Sequence, residues 1–292
     1  LVAKVNFLYI IYMGEIVDSA ISFKIIPLFI PILFYFLGLQ TETTALKQLL
    51  TEKKSLLYGL TLQIILLPLI GITISTIFKT SIFSTAVVLA LLVPGGHVSG
   101  LLTHIKKGNI ALSVGLTSVA SLLSPFTVVL WLNILIRDSQ ELSLNFLETF
   151  FQLTLLILIP FVAGIYTFTK KPILAENISG RLDKFLKVVV LILTFTGPLE
   201  IRELLVNNFF EGSKLAVIVV VAIYAINLVA SKTLDINSTN MKTITIEGFC
   251  QNFPIVIVLG TSLNMPELII YGVIYYLVSM FFAVSYAFLK KF

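Results

Sequence analysis

Glu247 is the residue whose surroundings most constrain the chemistry. It lies inside an apolar run, Ile244-Thr245-Ile246-Glu247-Gly248. A carboxylate at membrane depth costs about 3 kcal/mol on insertion scales. It either reaches the headgroups beside Lys242, five positions earlier, or is kept there as a functional charge. No Lys or Arg accompanies it within the run, so a bound metal cation or a proton is its natural counter-charge. Gln251 follows by four and shares a helix face with it if the helix runs on. Asn252 then points elsewhere, and Pro254 interrupts the helix. Side-chain amides are hard oxygen donors suited to sodium, and unwound backbone adds carbonyls. The same amides serve equally to hydrogen-bond neighbouring helices.

A second polar set lies in the first half. Ser113 and Thr117 are four apart, and Ser121 and Ser124 extend the stripe. Small hydroxyl residues at this spacing are either packing glue between helices or ion ligands. Gln63, five before Pro68 in another apolar run, has the same two readings. Upstream of the hydroxyl stripe, Val93-Pro94-Gly95-Gly96-His97-Val98-Ser99-Gly100 breaks an apolar run. Pro-Gly-Gly is costly in a helix. In lipid the freed backbone groups must find partners inside the protein, so such a break is expected where backbone lines a cavity. His97 can donate to an anionic substrate, carry a proton near neutral pH or hydrogen-bond a carbonyl. His104, beside Lys106 and Lys107, reads as a loop residue.

Other chemistries find no support. There is no His-Glu-X-X-His, no Cys-X-X-Cys and no phosphate loop. His97 and Ser99 lack an acid placed to orient a base, so a catalytic triad is not expected. Nothing asks for an organic cofactor, and nothing could bind the nucleotide of an ATP-driven pump. Cys250 is the single cysteine, so no internal disulfide can form.

The elements that must position these residues are apolar spans. Of 292 residues 58% are hydrophobic and only 12% charged, against about a quarter charged in soluble domains. The chain therefore reads as an all-α polytopic membrane protein. Segments near the ~20 residues needed to cross hydrocarbon fall at 5–20, 24–40, 54–77, 82–103, 109–136, 147–168, 184–200, 214–231, 243–263 and 266–289. The first is short and carries Glu15 and Asp18. The chain opens on Leu1-Val2 rather than Met, which leaves room for earlier residues. The first run lacks the small-residue cleavage site of a secretory signal.

Loop charges orient this arrangement. With ten spans, all but five of the 20 Lys and Arg residues fall on the side that holds both termini. The five exceptions are Lys24, Lys79, Arg137, Arg202 and Lys214. That side is expected to be cytoplasmic. The +5 net charge then reflects topology rather than a nucleic-acid surface. Ten spans divide into 1–137 and 146–292, five each, within a single membrane domain. An odd number per half reverses the direction of the second, the signature of inverted repeats. The two broken segments are the fourth and ninth, the equivalent members of the halves.

The break at Pro94, together with Gly108-Asn109-Ile110-Ala111-Leu112-Ser113 through Thr117 and on to Ser124-Pro125, resembles the bile acid:sodium symporter family. That family shows a Pro-Gly-Gly-Thr-Ala-Ser-Asn break followed by a Gly-Asn-X-Ala-Leu-Ser-X-X-X-Thr helix. Glu247 with Gln251-Asn252 resembles its second break, Glu-X-Gly-X-Gln-Asn, and Pro27 through Gly38-Leu39 its second span. The resemblance implies ten spans, a panel domain, and a core domain in which the fourth and ninth spans cross at their breaks. It implies two sodium sites. Ser99, Ser113, Thr117 and Glu247 would hold one ion. Gln63, Glu247 and Gln251, with the carbonyls of Gly248 and Cys250, would hold the other. His97 and Asn252 would face the substrate. The sequence departs from the family at Gly100, where the family has Asn, at His97, where it has Thr, and at Gly248, one position early.

The reading from sequence is a secondary active transporter, not an enzyme. It would move a bile-acid-like or small carboxylate anion into the cytoplasm with sodium, by alternating access. A proton-coupled or uncoupled organic-anion permease on the same fold is the alternative, and a receptor or channel stands further off. The short loops suit a bacterial inner membrane.

Overall fold

A computed structural model describes residues 2–41, 52–96, 98–136 and 146–289. Every element among them is helical, and strand pairing is limited to one isolated bridge. In chain order the helices are α1 (Val2–Ser19), α2 (Ile21–Leu39), α3 (Lys53–Ile77), α4 (Ser84–Ala90), α5 (Val98–Ile105) and α6 (Ile110–Ile136). There follow α7 (146–170), α8 (Pro172–Glu200), α9 (Arg202–Thr233), α10 (Ser238–Phe249), α11 (Phe253–Ser262) and α12 (Pro266–Phe288). Six described helices are long and apolar enough to cross a membrane: α2, α3, α6, α7, α9 and α12. Helix α8 begins at Pro172, twelve residues before the expected span at 184, because its first turns are a charged extension carrying Glu176, Arg181 and Asp183.

The outside of the molecule is apolar and the inside is partly polar. Leu28, Leu57, Ile77, Phe210 and Phe281 are each more than three-fifths exposed, an exterior that water does not tolerate over so wide an area but hydrocarbon does. Ser99, Ser113, Thr117, Gln63, Glu247, Gln251 and Asn252 are all buried.

Helix α2 meets α7 backbone to backbone. A Cβ on Gly38 would lie 2.2 Å from the Phe161 carbonyl oxygen, and one on Gly164 would lie 2.3 Å from the Tyr35 oxygen. Small residues are what let helices approach this closely in lipid.

Both expected breaks are present. The chain leaves helical geometry over residues 91–96, and again at Cys250–Asn252. Helix α10 ends at Phe249, so Glu247 and Gln251 do not share a continuous helix face as expected. Cys250, at φ −92°, ψ 81°, turns the chain away from the helix axis. Pro254 does not interrupt a helix; it occupies the first turn of α11, where its missing N–H costs nothing. His104 lies in the last turn of α5 rather than in a loop.

A candidate ion and substrate site at two crossing breaks

The unwound segments satisfy each other. Gly96 N donates to the Cys250 carbonyl at 2.6 Å, and Asn252 N donates to the Pro94 carbonyl at 3.0 Å. This antiparallel pair, with Gly95 opposite Gln251, gives partners to backbone groups that neither helix can serve. Only glycine fits at the contact. A Cβ on Gly96 would lie 2.9 Å from the Gln251 carbonyl oxygen, and one on Gly95 would lie 2.6 Å from Glu247 Oε2.

Glu247 lies against this crossing and is 1% exposed. Its Oε1 accepts from Ser113 Oγ. Its Oε2 accepts from Thr117 Oγ1 at 3.0 Å and from Gln63 Nε2 at 3.3 Å. Ser99 Oγ is 3.4 Å from Ser113 Oγ. No cationic side chain pairs with Glu247: among the described residues the ion pairs are Lys54–Asp235 and Lys187–Asp183. Neutral donors alone hold this carboxylate, and burying an uncompensated charge is expensive.

Each donor is positioned by a local feature. Asn109 caps α6 by accepting from Leu112 N at 3.1 Å, which starts the helix one turn before Ser113. Gln63 lies in a widened, π-type turn at Leu62–Leu66, just before Pro68. Proline has no N–H to give to the carbonyl four residues back, and its ring crowds that carbonyl. The carbonyl in question is Ile64's, and the indole N–H of Trp131 takes it at 2.8 Å. The side chain of the chain's only tryptophan thus closes the gap opened beside Gln63.

Gln63, Ser99, Ser113, Thr117 and Glu247 therefore form one buried cluster. Gly248, Cys250 and Gln251 flank it on the second break. Gln251 Nε2 donates to the Gly248 carbonyl at 2.9 Å. Both Gly248 and Cys250 carbonyls thus accept one hydrogen bond and retain a second lone pair. The side-chain oxygens of Gln63 and Gln251 are buried without a hydrogen-bond partner. Free amide oxygens on Gln63, which bonds the carboxylate, and on Gln251, at the second break, are hard donors of the kind a small cation takes. Gly100 adds none, and a Cβ there would meet nothing within 4 Å. His97 lies outside the described residues.

Two clefts approach the crossing. One, open to the outside, spans about 750 Å³ between α2 and α8 on one side and the second break and α12 on the other. Ile30, Leu193, Phe253 and Tyr276 are among its walls, and Asn252 lines it with both amide atoms unpartnered. The other, of about 580 Å³, is lined by Gln40, Thr41, Ser99, Ser113, Thr117 and Ser118, among others, and reaches the hydroxyls around Glu247. Thr41 Oγ1 and Ser118 Oγ are 3.2 Å apart there, joining the end of α2 to α6. Trp131 and the Thr41–Ser118 contact were not legible in the sequence, because each depends on helices distant in the chain.

An apolar exterior, a polar interior and two breaks crossing at a buried carboxylate are the build of an integral membrane transporter. The family model described as the sodium bile acid symporter family matches residues 25–208, and the chain belongs to that family. The match takes in Gln63, the first break and the hydroxyl helix; Glu247 lies beyond it. An uncharacterized sodium-dependent transporter, YocS of Bacillus subtilis (strain 168), is 24% identical over 249 residues, covering 82% of this chain and 75% of the relative. A probable sodium/metabolite cotransporter of Oryza sativa subsp. japonica, the chloroplastic BASS1, is 24% identical over 264 residues, 88% of this chain and 60% of the relative. A second from the same plant, the chloroplastic BASS2, is 26% identical over 199 residues, 65% of this chain and 45% of the relative. The chain spans less than two thirds of the two rice proteins. Family and relatives are sodium-dependent transporters rather than enzymes.

Proposed function

We propose that the chain is a sodium-coupled symporter that carries an organic anion into the cytoplasm by alternating access. The observation that carries this reading is Glu247: a fully buried carboxylate with no cationic partner among the described residues, ringed by hydroxyls and amides where two helices break. Sodium would compensate its charge. Ser99, Ser113 and Thr117 would complete one ion's shell with it. Gln63, Gln251 and the carbonyls of Gly248 and Cys250 would complete another's.

The substrate would occupy the apolar cleft beside Asn252, and His97, in the first break, would face it. The cleft's apolar walls suit a carboxylate with a hydrophobic body. The first turns of α5 and α11 supply positive dipole ends towards the crossing. In this reading α1 and α8 and the two broken pairs, α4 with α5 and α10 with α11, complete ten spans in two inverted five-helix repeats. Panel and core rock against each other about the crossing, and both termini are cytoplasmic.

Equilibrium binding of radiolabelled sodium to the purified chain tests the reading. Saturable binding, displaced by unlabelled sodium but not by potassium, supports it. Its absence at millimolar sodium contradicts it. Proton coupling on the same fold is the second reading, favoured by Gly100, which brings no side-chain oxygen to the first ion set.

A further inference from the structure

A third cleft, of about 790 Å³, lies away from the crossing. Its walls are α9, α10 and the last turns of α12. On α10, Ser238, Met241, Lys242 and Thr245 recur at helical spacing along the stripe that lines it. The opposite stripe, Asn240, Thr243 and Glu247, is bonded to Asn109 and Ser113 at α6. The cleft is thus separated from the proposed ion site by the thickness of one helix.

Its chemistry is that of an anion site. Lys242 lines the cleft and makes no ion pair among the described residues. Lys106 lies close behind, its Nζ 4.4 Å from the centroid of the Tyr286 ring that forms one wall. It donates to the Leu289 carbonyl at 2.6 Å. Burial, and then the Lys242 ammonium, pull Lys106 below the ordinary lysine range. The neighbouring carboxylates are already engaged: Glu52 accepts from Asn240 Nδ2 at 2.8 Å, and Asp235 pairs with Lys54 at 3.6 Å.

The first turn of α10 is already capped, Asn240 N donating to Asn237 Oδ1 at 2.8 Å. One further donor serves the same space. Asn227, 1% exposed, lines the inner wall. Its Oδ1 accepts from the Tyr58 hydroxyl at 2.7 Å, while its Nδ2 has no partner. Tyr224, Tyr286 and Leu228 supply an apolar margin, and Leu228 and Val229 continue it onto the outer face of α9.

We propose that this cleft binds a phosphate group, held by Lys242 and Asn227. A phospholipid headgroup and free phosphate share that chemistry. In a lipid, the acyl chains would lie along the exposed apolar face of α9.

The test measures binding to the full chain, purified and delipidated in detergent. The probes are inorganic phosphate, short-chain phosphatidylglycerol and short-chain phosphatidylcholine. Lys242→Gln and Lys242→Arg are compared with wild type, and a cooperative thermal melt reports whether each variant is folded. Saturable binding of phosphatidylglycerol alone, weakened roughly tenfold in Lys242→Gln and retained in Lys242→Arg, identifies a lipid headgroup site. The same pattern with inorganic phosphate identifies a site for the free anion. No saturable binding of either anionic probe, or equal binding by folded Lys242→Gln, overturns the proposal. Because this readout does not involve sodium transport, it fails or succeeds independently of the symporter reading.

Discussion

Gly95 lies so close to Glu247 that a Cβ in its place would be 2.6 Å from Oε2 and 2.9 Å from Gln63 Nε2. The first break is thus shaped around the carboxylate of the second half as well as around its backbone. A methyl group there must displace either the carboxylate or the bridge to Gln251. Gly95→Ala is expected to cost about 1–3 kcal/mol and to abolish saturable sodium binding. Gly100→Ala, where a Cβ meets nothing within 4 Å, is the control. It should leave thermal stability within about 0.5 kcal/mol and sodium binding intact. Thermal melts and radiolabelled sodium binding on the two variants check the pair.

Trp131 and Ile64 make a prediction about a residue that touches no proposed ligand. Trp131→Phe keeps most of the apolar bulk but leaves the Ile64 carbonyl without its indole donor. An unsatisfied buried carbonyl costs about 1–3 kcal/mol. The widened turn carrying Gln63 would then lose its anchor. Both a lower melting temperature and weaker sodium binding are expected, the second being the sign that the turn positions Gln63.

Much of the site was legible beforehand, for a physical reason. A carboxylate, two amides and a hydroxyl stripe inside apolar runs are costly unless they meet, so their convergence could be argued from cost alone. The two breaks were legible because Pro-Gly-Gly and Asn-Phe-Pro cannot continue a helix. What stayed open was local continuation: Gln251 shares a face with Glu247 only if the helix runs on, and the helix ends at Phe249. The exit there is tertiary, set by the hydrogen bonds of Cys250 and Asn252 to the first break. The role of Trp131 was hidden for the same reason. Pro68 announces an orphaned carbonyl but not which distant donor takes it.

Removing the hydroxyls should separate ion binding from folding. Ser113→Ala removes the donor to Oε1, and Thr117→Val one of the two donors to Oε2. Each is expected to weaken sodium binding roughly tenfold, as for one lost hydrogen bond to a charged group. The double variant should lose sodium binding altogether at concentrations that saturate wild type. Titrations with radiolabelled sodium measure the affinities.

Gly38 and Gly164 set how closely α2 approaches α7. Gly38→Ala places a methyl 2.2 Å from the Phe161 oxygen, which backbone cannot yield without the helices moving apart. A loss of at least ~1–3 kcal/mol is expected, measured as a lower melting temperature in detergent. Sodium should still raise the stability of the surviving folded protein, because Glu247 is built from other helices.

The most direct test of the central claim is the thermal stability of the purified chain in sodium against potassium, at equal ionic strength, in wild type and Glu247→Gln. A ligand that binds only the folded state raises stability by RT ln(1 + [L]/Kd), about 1.4 kcal/mol at tenfold its Kd. Wild type is predicted to melt at a higher temperature in sodium. Glu247→Gln, which keeps the shape and loses the charge, is predicted to melt at the same temperature in both salts. An equal sodium-specific rise in the two proteins, or none in wild type, would contradict the assignment of Glu247 as the counter-charge for sodium.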